Sequence, residues 1–304
     1  MLKSLFTLTL AVLTLTSTSA QEQQFAFKQL KTTVADSGGH YFVPVTADGK
    51  SGKFLVDSGA SSNFVINKKW AEAIGKTLTP AKGNQKAVDG GQLYMVSFNQ
   101  IALGKVRGLR GVTAPTASFG NRNALKIDGQ AQQVDGLIGC KALRKFRASF
   151  NYATGALVFP PAEAPAKTYT NSLKAQGHHV INLAKTQQND YPYVPVKVGE
   201  HKFLFLVDTG AATNFLTTDA AKLLKIQDTE KAATDNTIYQ IPKPQLGFLQ
   251  LPSLPFQIRD FEKGNFTFEG YTYGGIIGSR SLAKYKAILD FDSYTLVIPK
   301  NLEQ

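Results

Sequence analysis

The 304-residue chain is 43 % hydrophobic and 11 % aromatic, enough for one or two globular cores and too core-rich a composition for a disordered chain. One cysteine excludes an internal disulfide and a multi-thiolate cluster held by this chain, and four histidines leave little room for a histidine-rich metal site. The net charge of +12 invites nucleic acid, an anionic membrane or an acidic polymer as partner, a question left to the chemistry of the chain.

The N-terminus sets the expected compartment. Met1–Ala20 has Lys3 as a positive start, an apolar stretch from Leu5 to Leu15 diluted by threonines, and the small residues Thr18-Ser19-Ala20 before a cleavage point. This three-part pattern predicts a secretory signal peptide over 1–20, too short in its apolar core for a membrane span. Gln21 follows the cut, so no cysteine-linked lipid is expected. No later stretch has the length of a transmembrane helix. The expected location is the periplasm or the secreted medium, and the absence of disulfides suits a bacterial periplasm.

Beyond the leader the chain repeats itself. Tyr41–Phe64 and Tyr193–Phe215 each contain a Val-Pro-Val strand, a polar turn, and an apolar strand ending in Leu-Val-Asp-(Ser/Thr)-Gly-Ala-x-x-Asn-Phe. A helical stretch follows each, Lys68–Ile74 in the first copy and Asp219–Leu224 in the second, with Trp70 expected in the core. Gly136-Leu137-Ile138-Gly139 then matches Gly275-Ile276-Ile277-Gly278, and each copy closes with paired strands, Ala148–Asn151 to Leu157–Pro160 and Ala287–Asp290 to Leu296–Pro299. The second copy is shorter between its landmarks. The extra length of the first is placed in Gly104–Gln133, whose Gly, Ala and Arg read as loop. Pro160–Ala166 forms a stiff connection. Short β-branched and aromatic runs broken by turns predict two small β-barrel lobes: 21–160, a linker over 161–190, and 191–304.

The duplicated aspartate carries the chemistry. A carboxylate at the end of a buried strand loses hydration unless donors surround it. Gly59 and Gly210 let the backbone turn and bring amides close, and Ser58 and Thr209 supply hydroxyls that lock the turn. One copy per lobe suggests that Asp57 and Asp208 meet at a two-fold-like interface. Two carboxyls so placed share a proton: one is a base for water, the other polarises a carbonyl.

These motifs, over nearly all of the mature chain, resemble the aspartic peptidases. Two lobes in one chain resemble the pepsin-like arrangement, while Ala60 and Ala211 resemble the retroviral-type (retropepsin-like) members. The resemblance implies an all-β fold of two pseudo-symmetric barrel lobes with short helices and a cleft between them. It also implies that Leu137-Ile138-Gly139 and Ile276-Ile277-Gly278 pass beneath the aspartate loops. Asp57 and Asp208 would hold the attacking water, with Ser58, Gly59, Thr209 and Gly210 as supporting loop residues and neither metal nor other cofactor. The sequence departs from the pepsin pattern in lacking disulfides and a long prosegment. The best flap candidate is a hairpin through Asp89-Gly90-Gly91 with Tyr94 beyond it, and its second-lobe counterpart near Asp235-Asn236 is weaker.

Other features read as structure. Asp36-Ser37-Gly38 repeats the three letters but follows no buried strand and reads as a turn. His178-His179 is expected exposed in the linker, and Cys140 a small buried residue. The basic residues are scattered and accompany no nucleic-acid motif, so the expected partner is a peptide or protein substrate, with electrostatic contact to anionic surfaces and no nucleic acid. A monomer suffices for both aspartates. The competing readings are an inactive fold of this kind that binds peptide or envelope polymer, and a basic surface-adhesion protein. Ala60 and Ala211 leave the dyad one side-chain donor fewer per lobe, which stabilises the shared charge less. Peptide cleavage is therefore expected to peak at mildly acid pH, and a pH–rate profile with its maximum in strongly acid solution overturns that expectation.

Overall fold

The computed structural model describes residues 26–83, 91–119, 125–185, 190–226, 236–260 and 270–301. The first lobe runs β1 (Lys28–Lys31), β2 (Thr33–Val34), β3 (Tyr41–Ala47), β4 (Lys50–Asp57), β5 (Phe64–Asn67), α1 (Lys68–Ala73), β6 (Thr79–Pro80), β7 (Tyr94–Leu103), β8 (Arg107–Ala117), β9 (Lys126–Ile127), β10 (Gln130–Ala131), β11 (Gly136–Gly139), α2 (Cys140–Lys145), β12 (Ser149–Asn151) and β13 (Ala156–Phe159). The second runs α3 (Thr168–Ala175), β14 (His179–Asn182), β15 (Tyr193–Val198), β16 (His201–Asp208), β17 (Phe215–Thr217), α4 (Thr218–Leu223), β18 (Ile238–Pro242), β19 (Gln245–Leu246), β20 (Leu249–Gln250), β21 (Ser253–Arg259), β22 (Thr272–Gly278), α5 (Ser279–Lys284), β23 (Ile288–Asp290) and β24 (Thr295–Ile298).

The Asp48-Gly49 turn joining β3 to β4 has both residues at positive φ, the backbone a tight right-twisting hairpin requires. The Asp48 carboxylate accepts the Gln100 and Asn99 amides at 2.9 and 3.2 Å and pairs with Lys76, fixing the hairpin against β7. Each lobe builds an eight-stranded sheet, and a β3–β7 pairing curls the first back on itself. The last halves of β4 and β16 are buried residue after residue instead of alternating, because both faces are covered. Asn67 caps α1 through the Lys69 amide and Thr217 caps α4 through the Ala220 amide, so both short helices start where the strand stops. Trp70 is buried edge-to-face on Phe54 at 5.5 Å.

A third, six-stranded sheet in the order β1-β13-β12-β23-β24-β14 joins the lobes. At its centre β12 pairs antiparallel with β23, Phe150 opposite Leu289, and the Tyr152 and Phe291 amides make matching 3.0 Å bonds to the Ala287 and Ala148 carbonyls. A local two-fold therefore passes between these strands.

Two expectations need revision. Gly104–Gln133 is not loop: β8 fills Arg107–Ala117, where buried Val112, Ala114 and Thr116 alternate with more exposed neighbours. That period of two runs from Gly111 to Ala117; the Gly- and Arg-rich start of the strand, Arg107–Arg110, is partly or fully exposed, and the phase changes at Gly111, whose φ is positive. The extra length of the first copy lies mainly between α1 and β7 and between β8 and β11. Nor is His178-His179 fully exposed. Both are half-buried, with His179 opening β14 and its ring 5.7 Å from that of Phe248. Residues 161–190 thus contain a helix and a strand, and β14 is the second-lobe counterpart of β1 in the joining sheet. Among the described residues no helix is long and apolar enough to cross a membrane.

Leu289 is fully buried at the centre of the joining sheet. Leu289→Ala is expected to lower unfolding free energy by about 2–5 kcal/mol, measurable by denaturant titration.

Candidate active site

Asp57 ends β4 and Asp208 ends β16. β11 inserts between β4 and β5, parallel to β4 with Gly139 beside Asp57, and β22 does the same beside β16 with Gly278 beside Asp208. These two glycines lie directly beneath the loops that follow the aspartates. A Cβ at Gly139 would stand 2.1 Å from the Ser62 carbonyl oxygen, and one at Gly278 2.3 Å from that of Thr213. The Cys140 and Ser279 amides then donate to the Ala60 and Ala211 carbonyls at 2.9 and 2.8 Å, tying each loop to the strand passing under it.

The two loops exchange side chains across the lobe boundary. Ser58 Oγ donates to the Val207 carbonyl at 2.6 Å and accepts the Thr209 amide at 2.9 Å; Thr209 Oγ1 donates to the Val56 carbonyl at 2.8 Å and accepts the Ser58 amide at 2.9 Å. Both hydroxyls are fully buried. The exchange brings each carboxyl against the other lobe's glycine. A Cβ on Gly210 would be 2.4 Å from Asp57 Cγ, and one on Gly59 2.5 Å from Asp208 Oδ2. No side chain fits at either position. The Gly210 amide also donates to Asp208 Oδ1 at 2.8 Å. Asp57 is buried and Asp208 partly so.

A sequence profile described as aspartyl protease matches residues 43–142 and again 194–272, one match in each half and more than half of the chain in total. The chain belongs to the aspartyl protease family. No curated protein matches it significantly. Among solved structures, a retropepsin-like aspartic protease from Rickettsia conorii aligns over 45 % of this chain and 94 % of its own, at 14 % identity and a TM-score of 0.32.

In this aspartyl protease the six residues expected at the site, Asp57, Ser58, Gly59, Asp208, Thr209 and Gly210, all meet at one point of the lobe boundary. Buried Tyr152 and half-buried Tyr273 interact electrostatically with Asp208. Burial first, and then the neighbouring Tyr193 and Asp208 charges, push the Tyr273 hydroxyl well above its ordinary value. Cys140 is fully buried beside the first loop, and burial pushes its thiol up to about 11, so it stays protonated. His179 opens β14 with His178 just before it, and among the described residues no group of three His, Cys, Asp or Glu side chains is placed to hold a metal. Asp89 and Gly90, at the tip of the expected flap hairpin, lie outside the described residues, as does Asp235. The described arms of that hairpin pair Thr79 with Met95 and Pro80 with Tyr94, whose ring lies 4.6 Å from Lys68 Nζ.

Two contributors escaped the sequence reading. Asn214 accepts the Gly278 amide at 2.8 Å and donates to the Pro255 carbonyl and Ser281, locking the second loop by side chain, where in the first the Gly139 amide uses the Asn63 main chain. Asp36–Gly39 is a turn, but one that crosses to the other lobe. The Ser37 carbonyl accepts from Arg280 at 2.6 Å, and Gly39 lies so close to Ala212 that a Cβ would be 2.8 Å from its Cα. The repeated Asn-Phe was a signal for the first; nothing local marked the second.

Thr209→Val keeps the shape of the side chain but leaves the Ser58 amide buried without its acceptor. It is expected to destabilise the protein by about 1–3 kcal/mol in denaturant unfolding, while Thr209→Ser, which keeps the hydroxyl, stays near wild type.

Proposed function

We propose that this aspartyl protease is an exported endopeptidase that hydrolyses extended peptides with a water held between Asp57 and Asp208. The single observation that supports the reading is the reciprocal packing of each carboxyl on the other lobe's glycine, which brings both acids to the lobe boundary. Two carboxyls held close together in a desolvated site do not readily ionise together, and such a pair holds one proton over a range of pH.

The ionised member takes a proton from the water as its oxygen attacks the scissile carbonyl carbon. The protonated member gives its proton to the carbonyl oxygen, and a neutral tetrahedral diol results. Collapse of the diol breaks the C–N bond as the amine nitrogen receives a proton from the protonated carboxyl and a diol hydroxyl gives its proton to the ionised one, so the dyad ends with the single proton it began with. Water reacts directly and no covalent enzyme intermediate forms. Substrate main chain is held in extended form by strand-like hydrogen bonds, so specificity lies in side-chain pockets along the cleft. The leader over 1–20 supports export, and the positive charge draws the enzyme to anionic surfaces of an envelope without being the function itself.

The test is cleavage of a mixed peptide library by mature wild type, Asp57→Asn and Asp208→Asn across pH. Wild type is expected to cleave, and each substitution to reduce the rate by about a thousandfold or more. Cleavage that survives both substitutions overturns the assignment, and a wild type that binds peptide but never cleaves it overturns the activity.

A further inference from the structure

The local two-fold relating the lobes is broken by side chains at one pair of crossings beside the aspartates. Tyr152 and Phe291 are equivalent in backbone, as their matching amide bonds show, and so are Cys140 and Ser279, each opening the helix after an apolar-Gly strand. One crossing therefore brings together a tyrosine and a serine, while the counterpart positions carry a phenylalanine and a cysteine.

The hydroxyl pair forms a directed chain. Ser279 Oγ donates to the Thr209 carbonyl at 3.0 Å, which uses its one proton, so the Tyr152 hydroxyl at 2.8 Å is the donor to Ser279. The same Thr209–Gly210 peptide unit that accepts at its carbonyl donates from its amide to Asp208 Oδ1 at 2.8 Å. Each bond accepted upstream makes the next donor more positive, and the last donor faces the carboxylate. Tyr152 is suited to the head of such a chain. Its ring is held edge-on by Phe150 at 4.4 Å and Tyr41 at 5.2 Å, and burial pushes its hydroxyl well above the ordinary tyrosine value, so it remains a donor.

We propose that Tyr152 and Ser279 are positioning residues that act through the Thr209–Gly210 peptide to favour negative charge on Asp208, leaving the shared proton on Asp57. Resting on the peptidase reading above, this assigns roles to two otherwise near-equivalent acids. Asp208 is the base that takes the proton of water, and Asp57 protonates the carbonyl oxygen. Among the described residues, Asp57 lies across the boundary from Asp208, and the charge of Asp208 contributes to raising the Tyr152 and Tyr273 hydroxyls. The Tyr152 chain is charge-neutral and acts by hydrogen bonding.

Tyr152→Phe, Ser279→Ala and the double variant test this in the mature protein. The fold already places a phenylalanine at the counterpart of Tyr152, so the first is expected to fold. Carboxyl-carbon NMR titration follows Asp57 and Asp208 separately, with or without activity. In wild type, Asp208 is expected to carry most of the first deprotonation. In either single variant that step spreads onto Asp57, and the acid limb of kcat/KM moves up by about 0.5–1 pH unit. Because the two hydroxyls act in series, the double variant is expected to move no further than the larger single. The proposal is overturned if the division between the two carboxyls is the same in wild type and all variants, or if thermal stability falls with no change in that division. A wild type that cleaves no peptide yet shows the expected division removes the peptidase reading and leaves the chain standing.

Discussion

Everything at the site depends on Ser58 and Thr209 exchanging places across the lobe boundary. Each hydroxyl donates a hydrogen bond to a carbonyl of the other lobe and accepts one from an amide of that lobe, so two polar side chains with no exposure to water are fully satisfied only while the lobes are together. Separating them would leave backbone groups of both strands unpaired in an apolar setting. That cost fixes the distance between the strand ends, and the strand ends carry the aspartates.

The joining sheet holds the same boundary from beneath. Its central strands meet across a local two-fold, with Phe150 and Leu289 fully buried opposite one another, so the approach of the loops is set by main-chain register as well as by side-chain exchange. Glycines at 59, 139, 210 and 278 make the approach possible. Contacts of 2.1–2.5 Å to a notional Cβ mean that any side chain there would push a carboxyl or a loop carbonyl aside. The site is thus rigid for reasons of packing, and its electrostatics follow from acids held close together in a largely desolvated junction.

Much of this was legible in the sequence because the duplication printed each element twice. Leu-Val-Asp-(Ser/Thr)-Gly-Ala located the strand ends, and apolar-Ile-Gly located the strands beneath them. Trp70 and Cys140 fell in the core as their surroundings implied. β8 was hidden because its first half is partly or fully exposed and rich in Gly and Arg, with alternation only from Gly111 onward, and β14 because a strand pairing with a partner more than a hundred residues away leaves no local mark.

Sequence alone determined the residue types: two carboxyls, two hydroxyls and their glycines, repeated at matching places in two β-rich halves. It could not determine that Ser37 reaches Arg280, that Asn214 locks only the second loop, or that Tyr152 and Ser279 meet where their counterparts are Phe291 and Cys140. Those pairs are brought together by closure of the lobes around a two-fold, which depends on burial and register summed over the joining sheet. A repeat in sequence specifies two similar halves. The chemical difference between them arises only where the halves touch, because hydrogen bonding there depends on which side chains face each other across the boundary.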